Sequence, residues 1–366
     1  MENKKKNILI AGGGTGGHLF PAIAIGQEFE RRGYNVKYIG SKFGVEKKIF
    51  KKFKLNYYLM NITGIQRQLT VKSIISNFIF PIRFLTTYIK SLFYLKSIKP
   101  SIVIGTGGYA SGLPLIAGIH LKIPTLIQDQ NSVPGLITKK LNKKINKICL
   151  AYEIAASKLK NNKCIITGNP LKKDLKHLNR ESACKELNID HNKNNILILG
   201  GSQGASPINN HILNNIKNYT KNDFQIIWQC GKRDLKYLKS KIQNKNIIIL
   251  DFIEDMSVVY SAADVVISRA GAITISELAY MGKAMILIPY PFAAENHQNI
   301  NADVLKNENA CIKINQNELN TGILEKTINK IFNHKDQIEN LKLNAKQISK
   351  PKATERIVSE AIELIT

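Results

Sequence analysis

The chain has 366 residues, of which 44% are hydrophobic and 22% charged, and a formal net charge of +26 at pH 7. This length exceeds one ordinary domain, and the composition is that of a globular protein rather than a disordered or fibrous one. The five cysteines, at positions 149, 164, 184, 230 and 311, have no metal-ligand spacing, which predicts reduced thiols in a cytoplasm.

The positive charge is concentrated in the first half of the chain. Residues 1–165 hold 27 lysines and arginines against 6 acidic residues, whereas residues 166–366 hold 26 against 21. A lysine-rich composition would raise the charge of both halves, so it does not explain this difference. We expect the first half to face an anionic surface, either nucleic acid or a membrane with acidic lipids.

Short apolar runs alternate with helical segments, as expected for strands that are buried on both faces of a parallel sheet. The predicted strands are 8–11, 36–39, 102–104, 125–127 and 148–150 in the first half, and 196–199, 224–229, 247–250, 264–267 and 284–288 in the second. We therefore predict an α/β protein with two Rossmann-like, doubly wound domains that face each other across a cleft. The domains are placed at 1–166 and 167–349.

The first strand runs into a glycine-rich loop, 12–17, and His18 stands where this loop enters a helix predicted for 21–31. Glycine lets the backbone approach a ligand closely, and the first N–H groups of a helix suit a diphosphate or another anion. No acidic residue follows the second strand and no Lys-Ser or Lys-Thr follows the last glycine, which weakens the nicotinamide and P-loop interpretations. A glycine turn that only allows close helix packing remains an alternative.

Two further strands of the first half end in glycine-rich or polar loops. Gly-Thr-Gly-Gly-Tyr follows one strand at 105–109, and Asp129 and Asn131 follow the next. A single Asp or Asn in this position is usually a helix cap or a turn residue. Because ligands bind at the carboxyl ends of parallel strands, the convergence of three such loops predicts a site that includes His18.

Residues 63–99 combine aromatic, aliphatic and basic side chains, and charges interrupt the segment too often for it to span a bilayer. We interpret it as an amphipathic surface that lies in a lipid interface, with an ordinary core-facing helix as the alternative. The predicted membrane contacts are Ile75, Phe78, Ile79, Phe80, Phe84 and Leu85.

The second half repeats the opening pattern, because its first strand leads into a second glycine-rich loop at 200–205. A later strand leads into 268–277, where a helix N-terminus is predicted to bind an anion. Glu277, in the first turns of that helix, is placed to accept hydrogen bonds from a ribose, although a solvated helix residue is the alternative. The proline-containing loop 289–298 is predicted to line a pocket.

In this order, the motifs resemble those of the MurG family of peptidoglycan glycosyltransferases. The resemblance covers the chain from its first strand to its last helix and implies a two-domain glycosyltransferase of the B-type fold, in which a terminal helix, 350–366, packs back on the first domain. The motifs are Gly-Gly-Thr-Gly-Gly-His at 13–18, Gly-Gly-Tyr at 107–109, Asp-Gln-Asn at 129–131, Gly-Asn-Pro at 168–170, Gly-Gly-Ser-Gln-Gly-Ala at 200–205, 269–277, Asn-His-Gln at 296–298 and Ala-Thr-Glu-Arg at 353–356.

The resemblance implies transfer of N-acetylglucosamine, with inversion, from UDP-N-acetylglucosamine to the 4-hydroxyl of undecaprenyl-pyrophosphoryl-N-acetylmuramoyl-pentapeptide. It further implies peripheral attachment to an anionic membrane surface at the cytoplasmic face of the cell (inner) membrane, with no cofactor and no nucleic acid as partner. The donor contacts carried over from the family are Thr15, Gly16, Gly17, Asn131, Lys172, Ser202, Ile253, Ala272, Ile273, Thr274, Ile275, Ser276, Glu277 and Gln298.

Two residues depart from the family pattern. Lys172 stands where an arginine is common, which keeps the charge and loses the bidentate fork. Asp129 stands where a glutamate is common, so its carboxylate reaches one methylene less far.

His18 is the candidate general base, because an imidazole titrates near neutral pH, and Asp129 is a second candidate catalytic residue. No Asp-x-Asp or other carboxylate cluster is placed to hold a metal on the diphosphate, so we expect no bound metal. Two other functions remain open. One is a UDP-N-acetylglucosamine 2-epimerase of the same fold, which would turn over without an acceptor, and the other is a basic nucleic-acid-binding protein, in which the glycine loops would have no role.

Overall fold

The computed structural model describes residues 5–64, 78–201, 203–221 and 224–366, with the side chains of 220 and 221 left out. The chain forms two compact units. The first unit comprises Met1–Lys172 and Pro351–Thr366, and the second comprises Lys173–Lys350. The boundary drawn from the sequence, between 166 and 167, lies a few residues earlier.

A parallel sheet forms the centre of the first unit. Its strands are β1 (Asn7–Ala11), β2 (Asn35–Ser41), β3 (Tyr57–Met60), β4 (Ile102–Gly105), β5 (Thr125–Asp129), β6 (Lys147–Leu150) and β7 (Cys164–Ile166). They lie in the order β3-β2-β1-β4-β5-β6-β7, and every described pairing is parallel. The order reverses between β1 and β4, which is where ligands bind in doubly wound sheets.

Helices cover both faces of this sheet. They are α1 (Gly16–Arg31), α2 (Glu46–Lys52), α3 (Phe80–Ile98), α4 (Tyr109–His120), α5 (Leu136–Leu141) and α6 (Glu153–Leu159). Ile8 and Ile10 pack into one apolar cluster and Leu9 and Ala11 into another, and all four side chains are fully buried. Strand β1 is therefore buried on both faces, as its continuous apolar sequence predicts.

The second unit has the same strand order as the first six strands of the first unit. Its strands are β8 (Asn195–Leu199), β9 (Gln225–Gln229), β10 (Ile247–Leu250), β11 (Val265–Ser268), β12 (Ala284–Leu287) and β13 (Ile312–Lys313). They lie in the order β10-β9-β8-β11-β12-β13 and are again parallel. The two sheets confirm the predicted fold class of two Rossmann-like, doubly wound domains.

The helices of the second unit follow its strands in the usual alternation. They are α7 (Arg180–Glu186), α8 (Ser206–Asn214), α9 (Ile216–Lys221), α10 (Lys232–Lys241), α11 (Met256–Ala262), α12 (Ala272–Tyr280), α13 (His297–Asn307), α14 (Ile323–Asn333) and α15 (Lys335–Ile348). Two short 3-10 helices, Ala294–Asn296 and Gln316–Thr321, complete the unit.

The last helix, α16 (Ala353–Ile362), belongs to the first unit. Ile357 and Val358 are fully buried in the same apolar cluster as Ile8. On its polar side, Arg32, which follows α1, donates to the Ser359 hydroxyl (3.0 Å) and to the Glu355 carbonyl (3.1 Å). Apolar burial and hydrogen bonds together therefore attach the end of the chain to the first unit.

Candidate active site

The carboxyl ends of β1 and β4 carry two glycine loops that touch each other. Gly108 has a φ of +70°, and a Cβ placed on it would lie 2.2 Å from the carbonyl oxygen of Gly13. Only glycine fits a position that combines this φ with such close approach. The Thr106 hydroxyl donates to the His18 carbonyl at 2.8 Å, so the second loop also anchors the first turn of α1.

His18 lies half-buried in the first turn of α1, and its ring contacts the end of β5. Its Nδ1 is 2.8 Å from Oε1 of Gln130, a side chain that is only 2% exposed. The Gln130 Nε2 donates to the Thr106 carbonyl at 2.8 Å. The loops after β1, β4 and β5 therefore meet at the candidate base, as the sequence predicts. Gln130 itself was missed as a site residue.

Asp129 is buried, and its carboxylate accepts hydrogen bonds from the loop that follows it and from the next helix. One oxygen accepts from the Gly135 N–H at 2.8 Å and from the Thr138 hydroxyl at the start of α5. The other oxygen accepts a long hydrogen bond (3.4 Å) from the backbone N–H of Asn131. This arrangement fits a positioning role for Asp129, which fixes the segment that carries Gln130 and the half-buried Asn131.

Glu46 is a buried carboxyl group at the site that the motifs did not reveal. Its side chain is fully buried, and Oε1 accepts from the backbone N–H of Gly14 at 2.7 Å and of Ser41 at 3.1 Å. Glu46 thereby ties the first glycine loop to the end of β2. One sequence signal could have indicated it, since Glu46 is the only acidic residue between positions 31 and 128.

The other first-unit residues that the sequence predicts as donor contacts surround the start of α1. Thr15 and Gly17 are exposed there, and Gly16 is half-buried. The ammonium of Lys172 lies 4.3 Å from the centre of the Phe20 ring, which is a favourable cation–π distance. Lys172 therefore adds a positive charge near the first two turns of α1.

In the second unit, the glycine loop after β8 packs against the end of β9. Gly204 has a φ of +76°, and a Cβ on it would lie 2.1 Å from the Cys230 carbonyl oxygen. Gln229 joins this loop to its neighbour, because its Nε2 donates to the Gly201 carbonyl (2.9 Å) and its Oε1 accepts from the Ile253 N–H (3.0 Å). The sequence predicted Ile253 and missed Gln229. Ser202 lies outside the described residues.

Helix α12 begins directly after Gly271, and its first turn contains no acidic residue, so the positive end of its dipole is not neutralised from within. The predicted donor contacts in this helix divide by burial. Ala272 and Ile275 are buried, whereas Ile273, Thr274 and Ser276 are half-buried.

Glu277 is the predicted ribose contact in α12. It is 7% exposed, and its Oε2 accepts from the hydroxyl of the fully buried Tyr260 at 2.9 Å. Tyr260 was not identified from the sequence.

Arg269 joins the loops that follow β11 and β12. Its Nη1 donates to the carbonyls of Ile288 and Pro289 (both 3.1 Å), and its Nη2 donates to Oε1 of Gln316 at 2.6 Å. Burial lowers the pKa of this guanidinium to about 10, so it stays charged at neutral pH.

Gln298, in the first turn of α13, accepts the N–H of Tyr290 at 2.9 Å and so fixes the loop that begins with Pro289.

Within residues 5–64, 78–201, 203–221 and 224–366, no group of three or more His, Cys, Asp or Glu side chains is arranged to hold a metal ion.

A separate surface of the first unit carries exposed apolar side chains at helical spacing. We name Phe78, Ile82, Leu85, Ile89 and Phe93 the apolar stripe. Phe78 and Phe93 are 86% and 70% exposed, and the other three are also exposed. The opposite face of α3 is buried and begins with two small polar residues, Thr87 and Ser91.

The predicted membrane contacts are distributed unevenly over this surface. Phe78, Phe84 and Leu85 are exposed, whereas Ile79 and Phe80 are half-buried. Ile75 lies outside the described residues.

Two family models match the chain, each mainly in one unit. Residues 8–150 match the glycosyltransferase family 28 N-terminal domain, and residues 195–357 match the glycosyltransferase family 28 C-terminal domain.

Full-length relatives carry one name, UDP-N-acetylglucosamine--N-acetylmuramyl-(pentapeptide) pyrophosphoryl-undecaprenol N-acetylglucosamine transferase. The protein of that name from Flavobacterium psychrophilum is 41% identical, with 100% of this chain and 99% of the relative aligned. The one from Christiangramia forsetii is 38% identical, with 98% and 97% aligned.

Solved structures agree with the two-domain architecture. The crystal structure of MurG from Acinetobacter baumannii has a TM-score of 0.75 and 28% identity, and the match covers 97% of this chain and 98% of that one. UDP-GlcNAc 2-epimerase from Neisseria meningitidis has a TM-score of 0.64 and 15% identity, and the match covers 98% and 100% of the two chains. At that identity, the second likeness shows the fold alone.

Proposed function

The chain belongs to glycosyltransferase family 28, in its MurG group, and we propose that it transfers N-acetylglucosamine from UDP-N-acetylglucosamine to the 4-hydroxyl of undecaprenyl-pyrophosphoryl-N-acetylmuramoyl-pentapeptide in peptidoglycan synthesis. One observation carries this proposal. The chain is 41% identical, over the full length of both sequences, to a relative whose name states this transfer. The epimerase alternative has support from the fold only.

In the proposed reaction, the acceptor 4-hydroxyl attacks the anomeric carbon of the donor from the side opposite to the diphosphate. A bond from the 4-oxygen to the anomeric carbon forms, the bond from that carbon to the diphosphate oxygen breaks, and UDP leaves with the electron pair. His18 takes the proton of the hydroxyl, since a base in contact with that proton lowers the barrier to attack.

The second unit supplies the electrostatic part of this mechanism. The backbone N–H groups around Gly201 and the N-terminus of α12 oppose the charge that grows on the leaving diphosphate. Glu277 accepts the hydroxyls of the ribose. The other proposed donor contacts of the second unit are Ile253, Ala272, Ile273, Thr274, Ile275, Ser276 and Gln298. From the first unit, we propose that Thr15, Gly16, Gly17, Asn131 and Lys172 also contact the donor.

The deciding experiment measures transfer of labelled sugar from UDP-N-acetylglucosamine to a short-chain lipid-linked muramoyl-pentapeptide. We expect a labelled disaccharide lipid and one equivalent of UDP for each product formed. Release of UDP or formation of an epimerised sugar nucleotide in the absence of acceptor would favour the epimerase instead. Failure to form labelled lipid from a folded enzyme contradicts the proposal.

His18→Ala tests the proposed base. We expect kcat to fall about a hundredfold or more, since general-base catalysis contributes about that factor. Donor binding measured by calorimetry should persist, because the proposed diphosphate and ribose contacts of the second unit remain. Wild-type kcat in this variant would remove His18 from the mechanism.

We further propose that the enzyme is peripheral and that the first unit rests on the cytoplasmic face of an anionic membrane. The apolar stripe supports this attachment, because large exposed apolar side chains in a helical row suit insertion between lipid headgroups. Arg83, Lys90 and Lys96 lie on the same helix and add attraction to acidic lipid. In the described residues, no helix is both long enough and apolar enough to cross a membrane.

Sedimentation with vesicles tests the attachment. We expect the protein to bind vesicles that contain phosphatidylglycerol and to bind pure phosphatidylcholine vesicles more weakly. Double-stranded DNA at equal phosphate concentration should compete poorly. Equal binding to both kinds of vesicle, or stronger binding to DNA, would contradict the proposal.

A further inference from the structure

Three buried side-chain amides are hydrogen-bonded in series, beginning with the one that contacts the imidazole of His18. Gln128, Gln130 and Asn169 are 0%, 2% and 3% exposed, and all three belong to the first unit. The Gln130 Nε2 donates to the Gln128 side-chain oxygen, and the Gln128 Nε2 donates to Oδ1 of Asn169 at 3.2 Å. The Asn169 Nδ2 donates back to the Gln130 carbonyl at 3.1 Å. Each of these three side-chain amides therefore has a defined orientation.

Backbone groups fix the orientation of the Gln130 amide independently of its neighbours. Its Nε2 faces the Thr106 carbonyl at 2.8 Å and the Gln128 carbonyl at 3.2 Å. A backbone carbonyl can only accept a hydrogen bond, so the end of the amide that faces these two groups must be the NH2. A flipped amide would place its oxygen against two carbonyl oxygens in a buried site, which is costly. Oε1 of Gln130 must therefore face His18.

This orientation decides which nitrogen of His18 carries the proton. Oε1 of an amide is an acceptor only, so the Nδ1 of His18, 2.8 Å away, must be the donor. In the neutral imidazole, one nitrogen is a donor and the other an acceptor. The Nε2 of His18 is then the nitrogen with the lone pair, which is the form that a general base requires.

We propose that Gln130 is the positioning residue that sets the tautomer of His18, holding the proton on Nδ1 so that Nε2 accepts the proton of the acceptor hydroxyl. When Nε2 has taken that proton, the bond from Nδ1–H to Gln130 becomes charge-assisted and therefore stronger. Gln130 thus contributes more in the transition state than in the ground state, which is the condition for an effect on kcat. This inference rests on the proposed transferase function, in which His18 is the base.

The inference also gives a role to two sequence motifs. Asn169 of the Gly-Asn-Pro motif and Gln130 of the Asp-Gln-Asn motif lie 39 residues apart in the chain and are joined through Gln128. Asp129 fixes the loop after Gln130 by accepting the Gly135 N–H at 2.8 Å. The motifs together hold one amide group in one orientation against the candidate base.

Nitrogen NMR of the wild-type enzyme tests the tautomer directly and does not need activity. With 15N-labelled histidine, the His18 ring signals are assigned by their loss in His18→Gln. For the neutral ring, we expect the His18 Nδ1 to show the shift of a protonated nitrogen and the Nε2 that of an unprotonated one. The reverse assignment, or a mixture of both tautomers in the wild-type enzyme, would overturn the inference.

Gln130→Met tests the effect on catalysis, because methionine preserves the volume and removes the acceptor. We expect the His18 signals to become a mixture of tautomers and kcat to fall about tenfold to a hundredfold, the range for a hydrogen bond to a charged group. The KM of the donor should change by less than about threefold, because an effect confined to the transition state lowers kcat rather than binding. Unchanged kcat with a single tautomer would contradict the proposal.

Gln225→Met is the matched control. Gln225 is 3% exposed and, like Gln130, makes several buried hydrogen bonds, but it begins β9 of the second unit, at the end of the sheet opposite its carboxyl edge. A general cost of losing a buried carboxamide would lower kcat equally in both variants and would overturn the inference. If the donor transfer itself is absent in the wild-type enzyme, the proposed function fails, while the NMR result still decides the tautomer.

Discussion

Glu277 and Tyr260 form a buried pair in which one side chain orients the other. Burial, and then the charge of Glu277, raises the pKa of the Tyr260 phenol well above its usual value, so the phenol remains a donor at neutral pH. Its hydroxyl donates to one carboxylate oxygen at 2.9 Å. A carboxylate held in this way is preorganised for a diol, because its rotamer does not have to be fixed when the donor binds.

Removal of this pair should therefore weaken donor binding. We expect Glu277→Ala to raise the KM for UDP-N-acetylglucosamine about tenfold or more, as for loss of a hydrogen bond to a charged group. We expect Tyr260→Phe to raise it only about threefold to tenfold, because Tyr260 acts on the donor through the orientation of Glu277 and not through a hydrogen bond of its own. Tyr219→Phe is the control, since Tyr219 donates to the Glu325 carboxylate at the same distance of 2.9 Å in the same unit. Initial rates at varied donor concentration measure all three. An unchanged KM in the first two variants would refute the ribose assignment.

Sequence reasoning identified the residues that follow a recognisable local pattern and missed those defined by distant contacts. His18 could be predicted because it stands beside a glycine loop at a strand end. Gln130, 112 positions away in the chain, meets it only through the order of strands in the sheet. Glu46 and Gln229 were missed for the same reason, since each is defined by the backbone N–H or carbonyl group that the fold brings to it.

Helix α3 carries large apolar side chains on both of its faces, and the first unit covers only one of these faces. The buried face consists of Thr87, Ser91, Leu95 and Ile98. The Thr87 hydroxyl donates to the Asn61 carbonyl at 3.2 Å, and the Ser91 hydroxyl donates to the Thr87 carbonyl at 2.9 Å. The apolar stripe lies on the opposite face. The buried face packs on the core of the first unit, whereas the uncovered apolar stripe suits an apolar surface outside the protein.

Substitution in the apolar stripe should separate membrane binding from catalysis. We expect Phe93→Ser to reduce the fraction that sediments with phosphatidylglycerol vesicles about threefold or more, because burying one phenylalanine contributes about 1.5–3 kcal/mol. Turnover of a water-soluble short-chain acceptor should remain. Tyr237→Ser, which removes a half-exposed aromatic side chain from α10, is the control. Equal sedimentation of the wild type and Phe93→Ser would contradict a role of the apolar stripe in membrane binding.

At the scale of elements, the central strands could be predicted from the sequence, but of the edge strands only β10 was. Strands such as β1 and β8 are buried on both faces and appear as continuous apolar runs. The unpredicted β3, β7 and β13 are edge strands in which Met60 is the only buried residue, so they are not continuous buried apolar runs. The start of α1 was predicted at Pro21 and lies at Gly16, because glycines carry no helix signal in the sequence even where their backbone is helical.

The two units have separate apolar cores, and the only tryptophan of the chain reports on one of them. Trp228 is fully buried in the core of the second unit. Ile357, in contrast, is fully buried in the first unit although it lies near the end of the chain. Circular dichroism records the unfolding of both units, while tryptophan fluorescence records that of the second.

This difference allows a test of where the last helix contributes stability. We expect Ile357→Ala to lower the free energy of unfolding of the first unit by about 2–4 kcal/mol, the usual cost of a large-to-small change in a core. In urea, the part of the circular dichroism transition that belongs to the first unit should move to lower urea concentration, while the Trp228 fluorescence transition stays in place. Leu343→Ala, at an exposed site on α15, should change neither transition by more than about 0.5 kcal/mol. A shift of the fluorescence transition alone would contradict this assignment.

At the scale of the whole chain, the repeated arrangement of strand and glycine loop was enough to predict two similar domains. The order of strands in each sheet and the exact point at which the chain passes from one unit to the other depend on long-range pairing, which leaves no local pattern. The chain passes from the first unit to the second after Lys172, a few residues beyond the predicted boundary, because the segment after β7 remains packed with the first unit.

The position of α16 has a consequence for biosynthesis. A ribosome releases the N-terminal residues of the first unit long before it makes Ile357 and Val358, which cover part of the apolar cluster that contains Ile8 and Ile10. During translation, the nascent first unit must therefore expose that apolar surface while the whole second unit is being synthesised and can already fold. The first unit is begun before the second and completed after it, and its exposed side is the one that chaperones would have to protect until α16 has been made.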